Sequence, residues 1–276
     1  MSGPFPEYRD ISVTDPLRQG DIIEAVEPVA SMWQRHLLVL TADCDFAHAK
    51  HQGRVTCVPL LTANEYLLEM KVPLLRERAL AKVIPVLRQV LPSPFAEHVS
   101  DERLRAWPGE VEPNEIVATL GLADPEASVA KAILEAIRLV SQPAQTLDDA
   151  VERLIAAHLA VPNAQKRDKI VQQIVNVLKN PYGQPPGDAL FLSAIAPKHE
   201  LGYFAYLRHL EQVWEVQIAI APVKKSVGYR RISRLQERYV HLLVQRFALV
   251  FMSIGLPREY EEFRDLHAEL LGEKYA

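Results

Sequence analysis

The chain is predicted to be an α+β protein: a small, strongly bent antiparallel β-barrel of SH3-like type, interrupted by a helical insertion and closed by a long helix. Three observations predict this class. Short apolar runs fill residues 36–40 and 55–60 behind a strand-like stretch at 21–29, and no crossover helix separates them, so the pairing is antiparallel. From Asn64 the apolar spacing becomes helical, and strand character returns only at 189–195, 203–207 and 213–220. A last helical run then extends to about residue 253.

Taken in order, Pro4, Pro6 and Pro16 make the first residues an extended arm, because proline fixes φ and removes a ladder donor. Asn64 is placed as the N-cap of a first helix, and a longer one spans 73–88 with a kink or break at Pro85. Helices follow at 125–140, at 146–157 with Thr146 and Asp149 as an acidic capping box, and at 163–178. Pro92, Pro94, Pro108, Pro113, Pro143 and Pro162 punctuate this region. Ser233, Arg234, Leu235 and Gln236 have the pattern of a capping box that starts the final helix, with Gly255 and Pro257 ending it. The predicted organisation is a barrel domain of residues 1–63 and 187–276 around a helical insertion of 64–186.

Composition bounds the function. With 49% hydrophobic and 24% charged residues the chain can bury a core, whereas a net charge of -4 and a pI near 6.2 give no general attraction to phosphate. Nucleic-acid binding therefore needs a local basic patch. Cys44 and Cys57 are the only cysteines, and no charged start leads into an apolar run, so neither a disulfide scaffold nor a secretory leader is expected. No apolar stretch approaches the roughly 20 residues of a membrane span. The expected setting is cytoplasmic, without membrane contact and without a cofactor.

Gly20-Asp21-Ile22-Ile23, then Gln34-Arg35-His36-Leu37-Leu38-Val39-Leu40-Thr41, then Cys57-Val58-Pro59-Leu60-Leu61-Thr62 occur in that order. Together they resemble the MazF/PemK toxins, small β-barrel endoribonucleases with a C-terminal helix. The resemblance covers residues 18–62 and 200–254. It implies the barrel, RNA as target, an antitoxin as partner, and a homodimer; the partners expected of the chain are RNA or DNA and an antitoxin or defence-complex protein. It also implies a key arginine just before the apolar strand, which is Arg35 here, and a threonine two residues after the Val-Pro proline. Leu61 holds that second position and Thr62 follows it; His36 stands where the toxins have a proline.

Four residues are thus candidate catalytic groups: Arg35, Asp43, Asp45 and Thr62. Asp43 and Asp45 flank Cys44 at the end of a buried strand, where paired carboxylates can divide acid and base roles or, with Cys44, His48 and His51, hold a cation. The same carboxylates can instead cap a turn through side-chain to backbone bonds. Arg35 can stabilise phosphate charge or sit as a surface cation. Lys224, Lys225, Tyr229, Arg230, Arg231 and Arg234, with Arg238, form the densest basic run, suited to a phosphate backbone, to an acidic partner, or to plain solvation. Leu235, Tyr239, Leu242, Leu243, Arg246, Phe247 and Val250 mark a core-facing helix stripe. Three functions remain open: a nucleic-acid-directed protein of toxin or phage-defence type, active or degenerate as an endoribonuclease; a non-catalytic adaptor that binds a partner protein; and a metal-assisted hydrolase.

Overall fold

The structure is a computed structural model that describes residues 7–220, 227–252 and 258–275. Helix outweighs strand, 54% to 17%, so the molecule is a mixed α and β fold in which most of the chain is helical. It divides into two compact units: Met1–Leu60 with Pro186–Lys198 and Ala205–Ala276, and Leu61–Pro185 with His199–Phe204.

The first unit carries the sheet. Its strands are β1 (Tyr8–Arg9), β2 (Asp21–Ala25), β3 (His36–Val39), β4 (Arg54–Thr62), β5 (Ala189–Leu192), β6 (Tyr203–Tyr206), β7 (Glu211–Trp214), β8 (Ile218–Ala219) and β9 (Tyr229–Leu235). The unit boundary falls inside β4 and β6. Among the described residues these strands form one curled, mainly antiparallel half-barrel in the order β1-β9-β2-β3-β4-β6-β5, with β7 on β4 and β8 on β9. Every residue of β3 is buried, as its unbroken apolar run requires. Leu17, Ile23, Leu37, Val39, Val55, Cys57, Val213 and Ile218 make the core of this unit. Two short helices lie beside the strands, α1 (Met32–Arg35) and α2 (Asp43–Ala47).

β9 corrects the sequence reading. Ser233, Arg234 and Leu235 are buried strand residues and not the start of a helix, which begins at Glu237. The register shifts between Ile22 and Ile23, where Ser233 and Arg231 are successive partners and Ile232 is extra. A bulge of this kind breaks the two-residue alternation, so Arg231 and Arg234, three apart, both reach Asp21. Asp21 is fully buried; Arg234 Nε donates to Oδ1 at 2.6 Å and Arg231 Nη1 to Oδ2 at 3.3 Å. Their remaining N–H groups donate to the carbonyls of Ser12, Asp15 and Pro16, which fastens the N-terminal arm.

The second unit is helical: α3 (Ala63–Met70), α4 (Val72–Val90), α5 (Ser93–His98), α6 (Asp101–Glu110), α7 (Pro113–Thr119), α8 (Glu126–Ser141), α9 (Leu147–Leu159) and α10 (Arg167–Gly183). The cap of α3 is Thr62 and not Asn64: Thr62 and Glu65 form a reciprocal capping box. α4 runs unbroken through Pro85, which lies on its exposed side, while Val83, Ile84 and Leu87 are buried. Thr146 caps α9 by accepting from the Asp149 N–H, as its sequence pattern predicts. α4, α8 and α9 pack on one another through Leu80, Ile84, Ile133, Ile137, Leu154 and Ile155. Phe204, wholly buried, stacks on Tyr66 with centroids 4.2 Å apart, and Tyr182 meets it edge-on at 5.6 Å.

The chain ends in the first unit with α11 (Glu237–Met252) and α12 (Arg258–Tyr275). Leu243 and Val250 anchor the buried stripe of α11, and Arg246 Nη1 donates to the carbonyls of Pro186 and Ala189. Gly20 explains its own identity here. It adopts φ +84, and a side chain there would place Cβ 2.5 Å from Val240 Cγ2. Its N–H donates to Val39 and its carbonyl accepts from Leu235, so the turn joins β3 to β9.

Candidate functional site

The strand tip singled out by the sequence is α2 and the turn after it. Asp43 Oδ1 accepts from the Gln19 N–H at 2.8 Å, and the Gln19 side-chain amide donates to the Leu40 carbonyl. Asp43 thus pins the loop that leads into β2. Asp45 acts differently, because its carbonyl accepts from the Lys50 N–H and faces His51 Nδ1 at 3.1 Å. Ala49, Gln52 and Gly53 take positive φ and turn the chain sharply into β4.

His51 is the electrostatic centre of this turn. Its Nε2 lies 2.8 Å from Glu215 Oε2, and its ring packs against Phe46 at 4.9 Å. Both ring nitrogens therefore face oxygen acceptors, a carbonyl on one side and a carboxylate on the other. A neutral imidazole has one donor only and can satisfy just one of them. The Glu215 hydrogen bond, helped by the Asp45 carbonyl and opposed by burial, raises the His51 pKa above its ordinary value. A group with a raised folded-state pKa contributes stability that is fully present below its unfolded value of about 6.5 and lost as pH rises through the folded value. Thermal melts of wild type and His51→Gln should accordingly converge on the alkaline side; a gap that persists undiminished there would contradict the imidazolium.

Beside this turn lies a hollow of about 400 Å³, lined by Thr41, Asp45, Lys50, His51, Arg54 and Thr56, with Gln212 and others. Thr41 Oγ1 accepts from the Thr56 N–H at 2.8 Å and holds the floor together. Arg54 and Trp214 are cross-strand partners of β4 and β7, and the guanidinium sits 4.9 Å above the indole. Trp214 is 48% exposed, which leaves it open for stacking.

Of the four candidate catalytic residues, Asp45 alone lines the hollow. Arg35 is half-buried at the end of α1, its N–H bound to the Ser31 carbonyl. Thr62 belongs to the second unit, where its hydroxyl donates to Glu65 Oε2. The basic run divides: Arg231 and Arg234 are internal, whereas Arg230 and Arg238 are exposed. Arg230 pairs with Glu24 at 2.6 Å, Arg231 and Arg234 are taken up by Asp21, and burial raises the half-buried Tyr229 phenol. Lys224 and Lys225 lie outside the described residues. Among the described residues, Asp43, Cys44, Asp45, His48 and His51 do not bring three ligand atoms together. Burial pushes the Cys57 thiol far up, while exposed Cys44 contacts Asp45 Oδ1 at 3.8 Å.

Sequence reasoning missed Lys50, Arg54, Trp214 and the His51–Glu215 pair. The last joins residues 164 apart and leaves no local pattern; an aromatic facing an arginine across a predicted hairpin is the signal that could have found Arg54 and Trp214. No helix among the described residues is long and apolar enough to cross a membrane. No protein-family model, no curated protein and no solved structure matches this chain.

Proposed function

We propose that the barrel unit is a nucleic-acid-directed module of toxin or phage-defence type, which seats single-stranded RNA in the hollow beside α2. The observation that carries this reading is the grouping of Lys50, His51 and Arg54 around one hollow, with exposed Trp214 beneath the Arg54 guanidinium. Cations that track phosphates beside an aromatic platform are the usual equipment for single strands. A MazF/PemK-like barrel suits this reading through the Gly20 turn and the apolar β3. Cleavage chemistry is reduced: His51 has both nitrogens engaged and Asp43 holds Gln19, which leaves Asp45 as the carboxylate on the wall. The module is therefore a degenerate endoribonuclease that binds more than it cuts.

Fluorescence anisotropy with a labelled single-stranded RNA tests this. Lys50→Ala combined with Arg54→Ala should weaken binding by about tenfold and lower the salt slope by about 1.4, the share of two phosphate contacts. Binding that is unchanged in the double variant, or indifferent to salt, would sink the proposal.

A second reading, protein docking as an adaptor or homodimer, is favoured by the C-terminal helices. Every described side chain of α12 is exposed, including the stripe Tyr260, Phe263, Leu266 and Leu270, and Phe251 and Met252 of α11 are exposed as well. An exposed apolar stripe of this kind calls for a covering surface. Phe263→Asp with Leu266→Asp should convert an assembled species to monomer in light scattering while the melting of the sheet is unchanged. A wild-type monomer at every concentration would remove self-assembly.

A further inference from the structure

We infer that the helical unit holds a binding site for a small aliphatic monocarboxylate, recognised by Arg76. The site is a half-open cavity of about 160 Å³ between α3, α4, the end of α8, α9 and the turn between α8 and α9. Leu68, Val72, Val140 and Leu154 give it apolar walls, and its charged lining residues are Glu69, Arg76 and Arg153.

The two arginines are not equivalent. Arg153 donates from Nε to Asp149 Oδ1 at 2.8 Å and from Nη2 to Oδ2 at 2.7 Å. Its Nη1 faces the carbonyls of Leu139 and Gln142, both at 3.3 Å. Arg153 is thus occupied in tying the end of α8 to α9 and forms part of the wall. Arg76 differs: its Nε is buried and meets no acceptor among the described residues. Leaving a buried donor unmade is costly, and a charged donor more so, which makes the position complementary to an incoming acceptor.

The ligand class follows from count and shape. One uncommitted guanidinium suits one negative charge, and its planar fork matches a carboxylate in particular. Glu69 on the same wall disfavours a dianion such as a phosphate monoester. At about 160 Å³, some ten times the ~10–15 Å³ that one water needs, the cavity has room for a carboxylate with a short branched chain. The aliphatic walls then cover that chain.

The test is calorimetric or NMR titration of the full chain with isovalerate, isovaleramide and isoamylamine. Saturable binding of isovalerate in the millimolar range is expected, with the amide and the amine markedly weaker. Arg76→Leu should weaken isovalerate by about tenfold or more, and Arg78→Ala, exposed on the same helix, should leave it unchanged. The inference is overturned if the amide binds as well as the acid, if Arg76→Leu binds normally, or if the amine binds best, which would make Glu69 the recognition residue. Should Arg76→Leu fail to fold, the order of the three ligands on wild type decides.

Discussion

Asp21→Ala should lower stability by about 3–5 kcal/mol, a fall in Tm of about 10 °C, because it leaves two buried guanidinium groups without their counter-charge. The Asp21 side chain is 0% exposed and those of Arg231 and Arg234 are 2% and 5% exposed, so water cannot replace the lost partner. Much of the damage is local at first. The carbonyls of Ser12, Asp15 and Pro16 are held by the same two arginines, so the arm and the β2–β9 edge should loosen together. Replacing all three residues by apolar side chains of similar volume should recover most of the loss, since breaking a buried ion network costs more than removing it whole. Chemical denaturation of the single and triple variants separates these cases, and a loss below about 1 kcal/mol for Asp21→Ala would show the network to be solvated.

Phe204→Ala should cost about 3–5 kcal/mol in the helical unit, through lost transfer energy and the cavity that remains. Its ring is fully buried, stacked on Tyr66 and touched edge-on by Tyr182, so three aromatic side chains lose contact at once. Phe204→Leu should recover about half of that. Differential scanning calorimetry reads both variants, and a Phe204→Ala melt indistinguishable from wild type would overturn the packing described.

What sequence could and could not convey depends on how local the cause is. β3 was legible because a fully buried strand must be apolar along its whole length, and β4 through its mostly apolar run at 55–60. Thr146 was legible because a cap satisfies backbone groups within three residues of itself. The stretch of α5, α6 and α7 was not, since its prolines read as breaks. Pro94 and Pro113 instead sit in first turns, where no donor is lost, and Pro108 lies inside α6 near its end. β9 was hidden for a different reason. Arg231 and Arg234 look like part of a solvated run until Asp21, about two hundred positions earlier, is known to face them. The site follows the same rule: Asp45 and His51 stood out by type, but Glu215 could only be added by the fold.

The placement of β9 has a consequence for how the chain is made. β2, at residues 21–25, pairs with β9 at 229–235, and β1 pairs with β9 as well. During synthesis the sheet therefore lacks that neighbour until residue 235 has emerged, by which point the helical segment between them has been made. Non-local pairings of this kind close slowly and leave strand edges open in the meantime. Ribosome-bound chains truncated before residue 229 should thus show a protease-resistant helical unit beside protease-sensitive early strands, and Asp21 would meet its arginines only as the last step.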